Sequence, residues 1–101
     1  MNYKVKKLDS RYNGYPSFSH MIQPDRMIPN ASYTAVQARY NEFIIMREWF
    51  WNTFGPSREL KFYRAADPAC ADLGWAWDSE HNLRIYVKEK ELNWFLLKWT
   101  Q

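Results

Sequence analysis

The stretch Tyr33–Phe54, YTAVQARYNEFIIMREWFWNTF, decides how the rest of the chain must be arranged. It contains no Gly or Pro and runs directly into Gly55-Pro56. Gly is the usual left-handed residue just past a helix, and a following Pro cannot continue the turn. Asn30 or Ser32 can accept a hydrogen bond from the first free amides, and Pro29 precedes both. At about 1.5 Å per residue the predicted helix is roughly 33 Å long, enough to cross a small domain.

On a helical wheel at about 100° per residue, Thr34, Gln37, Asn41, Glu48 and Asn52 form one narrow polar strip. Opposite it, Tyr33, Val36, Tyr40, Phe43, Ile44, Phe50, Trp51 and Phe54 share a broad apolar arc, and Ile45, Met46 and Trp49 add apolar area flanking the strip. A surface helix normally shows a single stripe, whereas one that is apolar nearly all round is covered on more than one side. The half from Phe43 to Phe54 is therefore expected to be wrapped by its own domain or capped by a partner. Arg47 falls near the middle of the apolar arc. Either its stem lies on the core while the guanidinium reaches water, or it forms a buried ion pair or ligand contact, since an unpaired buried charge is too costly to keep.

Working outward toward the start, Asn2 to Leu8 reads as a short basic strand, with Tyr3 and Val5 on one face and Lys4, Lys6 and Leu8 on the other. Lysines of this kind suit a sheet edge, where they discourage unwanted pairing. The segment 9–29 shows no clean period and is punctuated by Asn13-Gly14, Pro16, Pro24 and Pro29. Its Tyr12, Tyr15, Phe18, Met21, Ile22, Met27 and Ile28 argue against simple disorder. It is expected to be an irregular segment that packs over the domain or onto a second chain.

Beyond the helix, Glu59 to Arg64 alternates as a strand, with Leu60 and Phe62 facing one way and Lys61 and Tyr63 the other. Trp75-Ala76-Trp77 and Leu83 to Val87 read as a hairpin around Ser79-Glu80-His81-Asn82. If Trp77 lies across from Leu83 or Ile85, then Trp75, Trp77, Leu83, Ile85 and Val87 form one apolar face, and Ala76, Arg84, Tyr86 and Lys88 form the other. The slipped register would bury Arg84 beside Trp77. From Glu89 to Trp99, Leu92, Phe95, Leu96 and Trp99 have the i, i+3, i+4, i+7 spacing of one helix face. Glu89 and Glu91 in the first turn and Lys98 in the last follow the helix dipole.

These elements predict a single α+β domain over 1–101, a small antiparallel sheet covered by one long and one short helix. The predicted order β-α-β-β-β-α is ferredoxin-like without a clear last strand. The chain of 101 residues carries 6 Trp, 7 Tyr and 6 Phe, which is enough for a core and leaves rings over for a surface. Its net charge of +3 is mild, and its single Cys excludes an internal disulfide. No apolar run reaches membrane-spanning length and the start is no signal peptide, so the expectation is a soluble cytoplasmic protein without a membrane partner.

The tail, from Trp75-Ala-Trp77 through LRIYVKEKELNWFLLKW, resembles the ends of small uncharacterised proteins of tailed bacteriophages, including T4-like phages and cyanophages. In that group a helix ends in an aromatic and Phe-Gly-Pro stretch, matched here by Trp51-Asn-Thr-Phe54-Gly55-Pro56. An acidic helix with a closing Leu-x-Trp is approximated by Leu97-Lys98-Trp99. The resemblance covers roughly the second half of the chain and rests on packing residues. It implies a phage origin, and hence the host cytoplasm, and it carries no activity.

Catalytic and cofactor chemistry finds no motif, so the expectation is a non-enzymatic protein without cofactor or metal. His20 and His81 are isolated. Asp67, Cys70 and Asp72 lack zinc or calcium spacing, Ser17 and Ser19 near His20 lack an orienting third group, and three scattered glycines make no phosphate loop. Two binding readings stand. Abundant aromatics, Met and Arg are what protein interfaces favour, and Ile45, Met46, Trp49, Trp94, Tyr15 and Phe18 are the candidate contacts for self-association, as a homo-oligomer, or for a host protein. Alternatively, Lys61, Tyr63, Arg84, Tyr86 and Lys88 would line the sheet face away from the helices, where rings flanked by cations could stack single-stranded nucleic acid.

Overall fold

The computed structural model describes residues 3–8, 18–24, 33–60, 72–79 and 83–99. Two antiparallel strand pairs are each followed by a helix. Strands β1 (Tyr3–Lys7) and β2 (His20–Pro24) precede helix α1 (Tyr33–Phe54), and β3 (Trp75–Asp78) and β4 (Arg84–Val87) precede α2 (Glu89–Trp99). The sheet order is β1-β2-β4-β3, with every neighbouring pair antiparallel. The architecture is thus α+β, an antiparallel sheet with one long and one short helix, as the pattern of residues predicts. The first strand of each pair lies at an edge, which suits the lysine-rich β1.

The element order differs from expectation in one place. Residues 20–24, inside the segment expected to be irregular, form β2, so the order is β-β-α-β-β-α. His20-Met21-Ile22-Gln23-Pro24 does not alternate polar and apolar because β2 lies between β1 and β4, with Met21 and Ile22 both buried. A strand covered on both faces has no alternation to read. Pro24 occupies the last position, opposite Tyr3, where its missing N–H costs the ladder least. The strand expected from Glu59 to Arg64 starts as a parallel bridge between Glu59 and Trp77, with the Leu60 N–H donating to the Trp77 carbonyl at 2.7 Å. Positions 61–64 lie outside the described residues.

The register pairs Trp75 with Val87, Ala76 with Tyr86, Trp77 with Ile85 and Asp78 with Arg84. This is the alignment that keeps Arg84 off the Trp face. Met21 stands beside Tyr86 and Ile22 beside Ile85, so each face of the sheet is a set of rows. The helix face carries Ile22, Trp75, Ile85 and Val87, which pack with Phe43, Met46 and Phe50 of α1 and Leu92 and Phe95 of α2. Burying each such side chain contributes about 1.5–3 kcal/mol. The opposite face carries a second, smaller cluster of Phe18, Met21, Leu60, Ala76 and Tyr86, flanked by Leu8 and Leu73.

Helix α1 ends as its sequence dictates. Gly55 adopts φ 93° and its N–H donates to the Trp51 carbonyl at 3.0 Å, a left-handed stop that a side chain would strain. The Gly55 carbonyl in turn accepts from Trp75 Nε1 at 3.1 Å, and Ser57 Oγ donates to the Trp75 carbonyl. The end of the helix is thereby tied to the edge strand β3. At the start of α2, a Cβ on Gly74 would lie 2.9 Å from the Glu91 carboxyl group, so glycine leaves room for a buried carboxylate to cross.

Candidate interaction surfaces

Burial selects among the many apolar residues of α1. Phe43, Met46 and Phe50, spaced i, i+3, i+7, are fully covered, and Ile44, Trp49 and Phe54 are partly covered against the same core. Val36, Tyr40, Ile45 and Trp51 stay exposed. The buried arc is therefore rotated toward Met46 relative to the wheel expectation, leaving Tyr40 and Trp51 on the solvent side. The reason lies in the other helix: Phe50 stacks on Phe95 at 5.7 Å and 19°, and Trp49 meets Phe95 and Trp99 edge-on at 6.1 and 6.5 Å. These ring contacts fix the rotation of α1 about its axis.

The six candidate interface positions consequently separate. Ile45 and Trp94 are exposed, at 48% and 54% of their surface. Met46 has no exposed surface and Phe18 only 5%; both are core residues, and their assignment to an interface is corrected on that ground. Trp49 is wedged between the helices, with Phe50, Phe54, Phe95 and Trp99 around it. Tyr15 lies outside the described residues. Leu97, which the sequence places off the buried stripe of α2 beside Trp94, is 63% exposed. Its signal was present in the spacing, since Trp94 and Leu97 are one helical turn apart on the face away from Phe95.

The second sheet face is less open than an aromatic platform requires. Tyr86 has no exposed surface and packs against Phe18 with ring centroids 6.0 Å apart. A base cannot stack on a ring already covered. Arg84 and Lys88 are half-buried, and the Lys88 N–H donates to the Gly74 carbonyl at 3.1 Å. Lys61 and Tyr63 lie outside the described residues. Sequence reasoning could not foresee the cover, because Phe18 and Leu60 reach this face from segments far away in the chain.

Arg47 resolves in favour of its aromatic neighbours. The guanidinium sits over the rings of Phe43 and Trp77, 5.8 and 5.5 Å from their centroids, and the residue is half-exposed. Its stem covers apolar surface while its charge faces ring quadrupoles and water. Replacing it by Met, which keeps the stem and loses the cation, is expected to cost about 1 kcal/mol in urea unfolding. A loss of several kcal/mol would instead reveal a desolvated ion partner.

Among the described residues, groups of catalytic character are few. His20 Nδ1 lies 2.8 Å from Ser19 Oγ, and Ser19 Oγ also approaches the Val87 carbonyl at 3.4 Å. Both partners thus serve the end of β2, and no third group orients the imidazole among the described residues. No cluster of three or more metal-ligating side chains occurs among the described residues, and no helix among them is long and apolar enough to cross a membrane. No protein-family model matches the chain, nor does any curated protein or solved structure.

Proposed function

We propose that this chain is a small non-enzymatic bacteriophage protein that acts by binding another protein, either a second copy of itself or a protein of the host, through the outward faces of its two helices. The observation that carries this reading is the apolar surface left over once the core is filled. Trp94 and Leu97 stand out from α2, and Tyr40, Ile45 and Trp51 stand out from α1. Single exposed apolar residues are ordinary, but two large ones a turn apart on one short helix offer an anchor of the kind that dominates interface energetics. The helix-in-groove mode reads such spacing directly. Lys90 and Lys98, exposed on the same helix, supply the polar rim that surrounds such anchors.

Light scattering on the purified chain over a range of concentrations tests the reading. A dimer is expected whose dissociation constant rises at least about tenfold in the Trp94→Glu/Leu97→Glu variant, since anchor residues of this type contribute 2 kcal/mol or more. A self-associating wild type is not the sole supporting outcome: a host protein recovered by the wild type and lost by that variant supports it equally. A wild type that stays monomeric and recovers nothing that the variant loses overturns it.

A further inference from the structure

Helices α1 and α2 pack side by side on one face of the sheet, joined through Trp49, Phe95 and Trp99. Each turns an outward stripe to solvent. On α1 it is Ile45, Glu48 and Asn52, at i, i+3 and i+7, and all three are exposed. On α2 it is Lys90, Trp94, Leu97 and Lys98, at i, i+4, i+7 and i+8, and all four are exposed. We propose that these stripes are the two halves of one self-complementary interface. In it, α1 of one copy docks on α2 of a second copy of this chain, and the same contact repeats about a two-fold axis. The dimer rests on the reading that the outward helix faces bind protein, and it fixes the partner and the pairing.

The stripes are opposite in charge. That of α1 holds a carboxylate and no cation, and that of α2 holds two cations and no carboxylate. Glu91 is buried beside Gly74, and Glu89 lies about 100° round the wheel from Lys90, on the side away from Lys98. Neither helix supplies partners for these charges. Three and four residues from Glu48 stand Ile44, Ile45, Trp51 and Asn52, and from Lys90 stand Tyr86, Val87, Asn93 and Trp94. Lys98 Nζ rests 5.6 Å from the centre of the Trp99 ring, a contact that leaves its three donors open to a carboxylate. Lys90 also occupies the first turn of α2, where the helix dipole disfavours a cation. Helix stability therefore does not account for its place.

Charge also decides which helices meet. Two copies joined antiparallel through α2, centred on Trp94, would set Lys90 against Lys98 at both ends, and like charges facing across an interface are costly. Two copies joined through α1 would set Glu48 near Glu48 and offer only Ile45 as an apolar anchor. With α1 on α2 the lysines flank Glu48 and Ile45 lies against Trp94 and Leu97, an apolar centre inside a charged rim. A two-fold interface makes every such contact twice. The two helix pairs then form a single layer between two sheets, a packing that covers the outer faces of all four helices together.

Sedimentation velocity of the full-length chain and two charge-reversal variants tests the pairing. The wild type is expected to dimerise, and Glu48→Lys alone or Lys90→Glu/Lys98→Glu alone to raise the dissociation constant at least about tenfold. An equimolar mixture of the two variants is expected to restore the dimer. In the mixed pair a reversed α1 meets a reversed α2 at one contact, and native stripes meet at the other. A mixture that stays dissociated overturns the pairing. So does a dimer that Trp94→Glu/Leu97→Glu disrupts and Glu48→Lys does not, an outcome that keeps protein binding through α2. A wild type that is monomeric at every concentration overturns the dimer, and binding of a host protein is then decided by the capture comparison above. Should a reversal variant lose its helical circular dichroism, Glu48→Gln serves in its place. It keeps the shape of the side chain and should still weaken the dimer, and an unchanged dissociation constant would overturn the pairing.

Discussion

Phe50→Ala is expected to lower the unfolding free energy by about 3–5 kcal/mol, the range for large-to-small changes of a buried Phe. Phe50 is fully buried and is the ring at which three elements meet. It stacks on Phe95 of α2, tilts against Trp75 of β3 at 5.5 Å and receives the edge of Trp49 at 5.0 Å. Truncation loses the transfer free energy of the ring, opens a cavity between rigid neighbours and breaks aromatic pairs worth about 0.5–1.5 kcal/mol each. The neighbouring rings are too large and too constrained by one another to collapse into the gap. Trp51→Ala is the matched control. Trp51 sits one residue on and still touches Trp75 and Trp77 at 6.4 and 6.1 Å, but 43% of its surface is exposed. Its loss should be well under half that of Phe50. Urea unfolding of the two variants gives the comparison, and equal losses would mean that α1 is rotated about its axis from the position described above.

Tyr86→Ala is expected to cost about 3 kcal/mol or more, because Tyr86 is the centre of the second core and not a surface group. Its ring is fully buried, with Phe18 beside it, and it lies on an inner strand between Met21 and Ala76. Removing it would also uncover Phe18 and Leu60, the other large members of that cluster. Tyr86→Phe separates the two contributions, since it keeps the ring and deletes only the hydroxyl. That change should leave most of the stability in place, because the buried ring carries the packing. A Tyr86→Ala variant as stable as the wild type would show that the ring is free on the surface, as a nucleic-acid stacking platform needs, and would sink the two-core description.

The legibility of this chain differs from element to element. Both helices could be bounded from residue chemistry alone, α1 because Gly55-Pro56 ends an uninterrupted run and α2 because its apolar period and its charged ends agree. The β3–β4 register was also legible, since only one alignment keeps Arg84 away from Trp77. Strand β2 was not, because a strand with neighbours on both sides and cover on both faces loses the polar–apolar alternation by which strands are recognised. Among the candidate contacts, Trp94 could be placed on the outer face of α2 from spacing. Met46 and Phe18 could not be told from surface residues, since nothing local distinguishes a buried apolar side chain from an exposed one.

By itself the sequence determined the local terms: where each helix starts and stops, which strand suits an edge, and that the apolar surface of α1 exceeds one contact face. Only the tertiary structure decided which part of that surface is left over. The rotation of α1 depends on Phe50 meeting Phe95 and on Trp49 meeting Trp99, and these partners are about forty-five to fifty residues apart in the chain. The placing of β1 and β4 on either side of β2 is likewise a product of sheet order, since most of the chain separates them. Propensity and periodicity act over a few residues. Which ring covers which, and which charges share a face, is fixed by close packing between distant segments.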